Sequence, residues 1–403
     1  MTVAIIAEYN PFHSGHAYQL DAIREEFGAD TNIIAVMSGN YTQRGEIAVA
    51  DKYLRAEWAV RCGVNLVLEL PFPYSMSSAE IFARAAVSII TSLGVVDYIS
   101  FGSEIGDKDK LSAIAENMLK PEYNESFLTL SASPEYKNLG YPALCEAAYK
   151  NAFSLDITDV FKPNNILAIE YIKAVKELSS PVKIHTVKRL GAGYSEKELV
   201  GFRHPSAMSI RKALASADER YLNNIPKAMR ESFCQNLSNK EFPTQEAKLS
   251  SAIISHFRLN TRDDESLIFD VGGGLYNRLK NASIEAVDIK SLVSNAETKK
   301  FTNARIRRAI LYSFFGVTSS DVKELPRFSQ VLGLDEKGRA LLKTIKTGNE
   351  FPLLTKPTAT DALDSVAKLQ KELLDKADSI FQLTKPKNVS GANALRQRPF
   401  VKE

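Results

Sequence analysis

Apolar residues in the first hundred positions come as short, β-branched runs: Val3 to Ala7, Asn32-Ile-Ile-Ala-Val-Met-Ser-Gly39, Asn65-Leu-Val-Leu-Glu-Leu-Pro71 and Tyr98-Ile-Ser-Phe-Gly102. Each has the length of a strand buried on both faces. Between them, helical patterns run from His16 to about Phe27, where Gly28 supplies a stop, and over about Ala50 to Arg61 and Ser78 to Leu93. This β-α alternation predicts a parallel sheet with helices on both faces and ligands at the carboxyl ends of the strands. Residues from Asp107 to about Phe161 read as helices and connectors. Lys162-Pro-Asn-Asn then starts a helix, with Asn164 or Asn165 as a candidate N-cap and apolar positions at Ile166, Ile169, Ile172 and Val175. Val182 to Val187 alternates like a half-buried strand and ends in Lys188-Arg189-Leu190-Gly191-Ala192-Gly193-Tyr194. From about Leu214 the pattern is helical, and the tail from about Lys385 is too poor in apolar residues to hold a fold and is expected to be mobile. The organisation predicted is α/β: a Rossmann-like parallel-sheet domain over 1–215, a mainly α-helical domain over 216–385, and a mobile tail over 386–403.

Composition changes this picture little. The chain has 403 residues, 44% hydrophobic and 25% charged, which suits an ordinary globular protein long enough for two domains. No run approaches the roughly 20 apolar residues that span a bilayer, and no basic region or cleavage site precedes the first strand, so a cytoplasmic location without membrane contact is expected. Cys62, Cys145 and Cys234 lie far apart, which argues against a structural zinc or a disulfide framework, and no metal site is expected. A net charge of +3 says less about nucleic acid than its distribution does.

The first strand breaks at Asn10-Pro11 and delivers His13 and His16 to the mouth of a helix, with Gly15 between them. A helix N-terminus presents unpaired N–H groups and favours phosphate, and two imidazoles there can donate to phosphate oxygens as charge develops. Ser38-Gly39-Asn40, Glu69 with Pro71, and Gly102-Ser103-Glu104 sit at other strand ends facing the same crevice, with Gly102 as a ligand-facing backbone. Arg189 with the glycines after it suits a polyphosphate, and Ser206-Ala-Met-Ser-Ile-Arg211 reads as an N-cap followed by a helix. In the helical half, Lys299, Lys300, Arg305, Arg307 and Arg308 occur with no acid among them, Arg305 and Arg308 share a helix face, and aromatics follow. Such a helix can meet an RNA backbone while its other face packs, and Lys337, Arg339, Lys343 and Lys346 can extend the surface.

His13-Ser14-Gly15-His16 after the first strand resembles the His-x-Gly-His signature of the nucleotidylyltransferase superfamily, and Ser206 to Arg211 resembles its second motif, Ile-Ser-x-Thr-x-Ile-Arg. The chain departs from the latter by Met208 and Ser209 where threonine is often found, which leaves open which hydroxyl touches phosphate. With Glu8 to His16, Leu66 to Phe72, Phe101 to Glu104, Pro163 to Leu167 and the Arg189 to Tyr194 turn included, most of the chain resembles the bacterial tRNA(Met) cytidine acetate ligase family. That resemblance implies an enzyme which activates acetate with ATP, magnesium accompanying the triphosphate, and acetylates N4 of the wobble cytidine of elongator tRNA(Met). It implies catalytic roles for His13 and His16. It also implies ATP contacts from Ala7, Glu8, Tyr9, Asn10, Pro11, Phe12, His13, Ser14, Gly15, His16, Gly102, Asn164, Asn165, Arg189, Ser206, Ser209 and Arg211, and RNA contacts from the basic run. No motif marks the acetate pocket. Two other readings share these features: a small-molecule adenylyltransferase or pantothenate-synthetase-like ligase, which would not need the basic half, and a non-catalytic RNA-binding factor, which would not need the histidines.

Overall fold

A computed structural model describes residues 1–136, 139–155, 157, 160–189, 206–216, 218–259, 267–348 and 350–403. The first half alternates as the apolar pattern predicts: β1 (Thr2–Ala7), α1 (Ser14–Phe27), β2 (Asn32–Ser38), α2 (Lys52–Arg61), β3 (Leu66–Leu70), α3 (Ala79–Ser92) and β4 (Tyr98–Ser103). Three helices, α4 (Lys108–Met118), α5 (Pro121–Ala132) and α6 (Tyr141–Phe153), lead to α7 (Pro163–Glu177), β5 (Lys183–Lys188) and α8 (Ala207–Ala215). Lys162, not an asparagine, is the N-cap of α7, with Pro163 in its first turn.

The strands β1 to β5 are mutually parallel in the order β5-β4-β1-β2-β3. The chain builds outward from β1 through β2 and β3, then returns to the other side of β1 with β4. The reversal between β1 and β4 opens a crevice at their carboxyl ends, where ligands of such sheets bind. Both faces are covered, and strand periodicity decides which residue goes where. Val3 and Ile5 pack with α1 and α2, while Ala4 and Ile6 pack with α3 and α7.

The second half carries α9 (Lys227–Ser238), α10 (Ser250–Leu259), α11 (Leu275–Glu285), α12 (Ile289–Ala296), α13 (Asn303–Phe315) and α14 (Ser319–Lys323). It then adds strands that the mainly helical expectation did not include. β6 (Ser329–Leu334) joins the main sheet antiparallel to β3, followed by α15 (Glu336–Gly348), β7 (Leu353–Leu354), α16 (Ser365–Phe381), α17 (Asn393–Arg396) and β8 (Phe400–Val401). Every residue of β6 is buried, and its partner β3 lies far away in sequence, so local pattern does not reveal the pairing. The boundary near 215 is therefore not a clean cut through the sheet. The tail over 386–403 also differs from a mobile segment: β8 pairs with β6 through Gly333–Phe400 and Leu334–Val401, and Lys402 N–H donates to the Leu334 carbonyl. Backbone pairing holds it where apolar content alone would not. The core of the helical half takes in Tyr41, Ile47, Phe72 and Met76 from the first half, so the two share buried surface.

Candidate active site

The turn after β1 combines Tyr9 at φ 46° with a cis Asn10–Pro11 peptide, and it ends at His13, the N-cap of α1. The two histidines form a capping box. His13 Nδ1 accepts from Gly15 N–H at 3.0 Å, and His16 Nδ1 accepts from His13 N–H at 3.2 Å. Accepting at Nδ1 fixes the neutral tautomer of each ring with its proton on Nε2, which makes Nε2 the donor. The rings stack with centroids 3.9 Å apart, and Tyr9 and Phe12 close on His16 at 4.9 and 5.3 Å. Burial, then the proximity of His13 and Arg189, holds His16 well below the usual histidine range, so it stays neutral near pH 7. Capping uses Nδ1 of each ring, so any donation from Nε2 would use the other nitrogen.

Arg55 of α2 is fully buried and gathers backbone around this turn. Its Nε donates to Ala50 O at 3.0 Å, while its Nη atoms donate to the carbonyls of Glu8, Ser38 and Gly39, tying together the ends of β1 and β2. Burial lowers its guanidinium to about 10, still protonated at neutral pH. Glu8 Oε1 accepts from Gln43 N–H at 2.9 Å, and desolvation raises this carboxyl above its ordinary value. Tyr9, Asn10, Pro11 and Phe12, expected among the nucleotide contacts, are buried, whereas Ala7, Glu8, Ser14, Gly15 and His16 keep partial exposure. Tyr9 and Phe12 therefore serve as packing beneath the histidines.

The second motif reaches the same turn. Ser206 caps α8, its Oγ accepting from Ser209 N–H at 3.2 Å, and the Ser209 hydroxyl donates to the Ser206 carbonyl at 2.7 Å. Arg211 Nη1 donates to the Asn10 carbonyl at 2.8 Å and Nη2 pairs with Glu46 Oε2 at 2.8 Å. Arg211 thus bridges the turn after β1 and the loop after β2, both far from it in sequence.

On the β4 side, a Cβ at Gly102 would lie 3.2 Å from Arg189 Cγ, so the glycine lets this arginine lie close over the strand end. Leu190 to Tyr194, including Gly191 and Gly193, fall outside the described residues. Asn165 corrects an expectation. It is fully buried, its Oδ1 accepting from the N–H groups of Glu104 and Ile105 and its Nδ2 donating to Val160 O, so it fixes the loop after β4 to α7 instead of facing a ligand. Asn164 Nδ2 donates to Glu104 Oε1 at 2.6 Å, and the Glu104 carboxylate also takes the backbone N–H groups of both asparagines. A protein carboxylate thus occupies the N-terminus of α7, where a phosphate could have sat.

The basic run divides. Lys299 and Lys300 are exposed, although Lys300 also donates to the Gly273 carbonyl at 3.0 Å. Arg305, Arg307 and Arg308 are half-buried: Arg305 pairs with Asp270, Arg307 makes two bonds to Glu246, and Arg308 donates to the Gln43 carbonyl. The arginines expected to meet an RNA backbone find acceptors within the protein, while the two lysines stay exposed.

Sequence reasoning missed a charged centre beneath the β2–α2 loop. Lys52 Nζ lies between Glu69, at 2.7 Å, and Asp378 of α16, with all three side chains buried. Asp378 also accepts from Asn40 Nδ2 at 2.9 Å. Burial drives the Glu69 and Asp378 carboxyls up, and Lys52 between them opposes this. The available signal was Glu69 inside an apolar strand, since a lone charge there requires a partner; nothing local identified Asp378. Among the described residues, no cluster of three or more His, Cys, Asp or Glu side chains could hold a metal ion, and no helix is long and apolar enough to cross a membrane.

The sequence pattern of the HIGH Nucleotidyl Transferase family matches residues 1–396. The tRNA(Met) cytidine acetate ligase of Thermoanaerobacter sp. (strain X514) is 35% identical over 419 residues, covering 99% of both chains. That of Acetivibrio thermocellus is 36% identical over 387 residues, covering 92% of both. Among solved structures, Thermotoga maritima TmcAL bound with alpha-thio ATP superposes with a TM-score of 0.88 at 29% identity, and its apo form with 0.91, each over 99% of both chains.

Proposed function

As this chain belongs to the HIGH nucleotidyl transferase family and, within it, to the tRNA(Met) cytidine acetate ligases, we propose that it acetylates N4 of the wobble cytidine of elongator tRNA(Met) from acetate and ATP. A carboxylate oxygen of acetate attacks the α-phosphorus of ATP, the bond to the β-phosphate breaks, and pyrophosphate leaves. The cytidine amine then attacks the carbonyl carbon of acetyl-adenylate and releases AMP, with one proton lost from nitrogen. Acetate belongs to this reading as a substrate, and magnesium as the cation that would accompany the triphosphate. A tRNA substrate also implies a cytoplasmic location.

The observation that carries the reading is the pair of imidazoles at the α1 N-terminus, each accepting a backbone N–H at Nδ1, in the crevice between β1 and β4. In the first step they stabilise charge on the phosphate and do not act as nucleophiles, since phosphoryl chemistry of this kind rests on positioning and electrostatics. Arg189, Ser206, Ser209 and Arg211 are assigned to the triphosphate, Gly102 to its backbone contact, and Lys299 and Lys300 to the RNA backbone. The end-to-end match to the ligases, through the helical half, supports this reading over a small-molecule adenylyltransferase. The amine must leave its stack to reach the adenylate.

The test is incubation with ATP, labelled acetate and unmodified elongator tRNA(Met), followed by nucleoside mass analysis. Labelled N4-acetylcytidine is the expected product. An acyl-adenylate without modified tRNA would show that the acceptor is another molecule, and no adenylate from any carboxylate would favour a non-catalytic RNA-binding protein.

A further inference from the structure

Arg211 is held from two sides, and only one of them belongs to a recognised motif. The Asn10 carbonyl comes from the His-x-Gly-His turn; Glu46 comes from the loop between β2 and α2. Over Tyr41 to Ile47 that loop is a tight hairpin, with an antiparallel bridge between its ends, Thr42 N–H donating to the Glu46 carbonyl and Gly45 N–H to the Thr42 carbonyl. It is fixed on three further sides. Gln43 N–H donates to Glu8, Arg308 donates to the Gln43 carbonyl, and the Tyr41 hydroxyl donates to the Ala377 carbonyl. Gly45, at φ +71°, lies so close to α13 that a Cβ would stand 2.6 Å from Arg308 N.

We propose that Glu46 is a positioning residue for Arg211: it holds the guanidinium plane in the orientation that meets the triphosphate, from a hairpin that α13 and α16 keep rigid. The proposal rests on the reading of Arg211 as a triphosphate contact. Its support is geometric. A guanidinium has five N–H donors; Asn10 and Glu46 take one each on Nη1 and Nη2, which fixes the rotation of the fork and leaves the others for phosphate oxygens. The two side chains are 22% and 31% exposed, and an ion pair so open to water adds little to folding, so fixing the orientation is the larger effect of the contact. Exposure also means that an unfixed arginine at this place would sample many rotamers, and ordering it would fall to the nucleotide.

The test is a double-mutant cycle between Glu46→Ala and Arg211→Ala, with Glu46→Gln as the conservative variant, read as KM for ATP and kcat in tRNA acetylation. Glu46→Ala is expected to raise KM for ATP about tenfold with a smaller change in kcat. Glu46→Gln, whose amide oxygen still accepts from Nη2, should recover most of that loss. In the Arg211→Ala background, Glu46→Ala should change KM no further. Additive effects, or a glutamine variant as impaired as the alanine one, would overturn the positioning role while leaving Arg211 in the site. Arg211→Ala with wild-type KM would remove Arg211 from the site and the inference with it.

Discussion

His13 and His16 cap one another: each Nδ1 accepts a backbone N–H of the same helical turn, and the two rings stack 3.9 Å apart. The capping is a structural job, and a substitution that keeps it isolates the chemical role proposed for the imidazole.

His16→Gln is such a substitution, because glutamine at the third position of a helix can accept from the N-cap N–H as His16 does. We expect it to keep stability within a few tenths of a kcal/mol while lowering adenylate formation at least about 100-fold, the usual cost of losing one donor to a developing charge. His16→Ala should lose both activity and about 1 kcal/mol of stability. Urea titration beside ATP–pyrophosphate exchange distinguishes the two; a fully active glutamine variant would take the imidazole out of the reaction.

The depressed titration of His16 gives a pH signature. Below about pH 6.5 the unfolded chain binds a proton at this histidine that the folded chain does not, so stability falls as pH drops from there toward the lower folded value. The slope from this group alone reaches about 1.4 kcal/mol per pH unit. Wild type should lose stability more steeply than His16→Gln between about pH 6.5 and 5. His185, lowered in the same direction by burial, contributes equally to both and cancels from the comparison. Parallel curves would mean that His16 titrates normally.

The Lys52 centre predicts an order of severity. Lys52→Met leaves Glu69 and Asp378 facing each other without a cation, and should cost about 3–5 kcal/mol. Asp378→Asn removes one of two anions and leaves the Lys52–Glu69 pair neutral, so it should cost clearly less. Chemical denaturation of both variants checks the order, and equal losses would show that the centre acts through packing alone.

For RNA binding, the division of the basic run separates two effects. Reversing the exposed Lys299 and Lys300 to glutamate should weaken tRNA binding and reduce its salt dependence by up to about two units of slope, with stability intact. Reversing Arg308 places an anion at the Gln43 carbonyl and should destabilise the fold itself. Fluorescence anisotropy across a salt series, beside thermal melting, reads both.

The parallel core and the first turn were legible because they are local: Val3 to Ala7, the Asn10-Pro11 break and the two histidines lie within one strand and one turn. The sequence also carried the serine and arginine of the second motif. What it did not carry were pairings across hundreds of residues. Ser329 to Leu334, with a glutamine and a glycine among its apolar residues, lies in a helical stretch and does not declare itself a strand without β3 beside it, and Phe400 and Val401 are held by that strand's backbone. Arg307 looked available for phosphate because Glu246, its partner, lies in a different helical stretch. Asn165 carries the same signal whether it meets a ligand or a loop, and only the position of Glu104 decides between them.

Protein synthesis runs in one direction, and the Lys52 centre does not. A ribosome releases Lys52 long before Asp378, 326 positions later, and at about 5–20 residues per second the gap is roughly 15–65 s. Throughout that interval a nascent chain has the residues of its His-x-Gly-His turn but lacks the carboxylate that secures Asn40 and Lys52. The β2–α2 loop, and with it the hairpin bearing Glu46, waits on the helix made almost last.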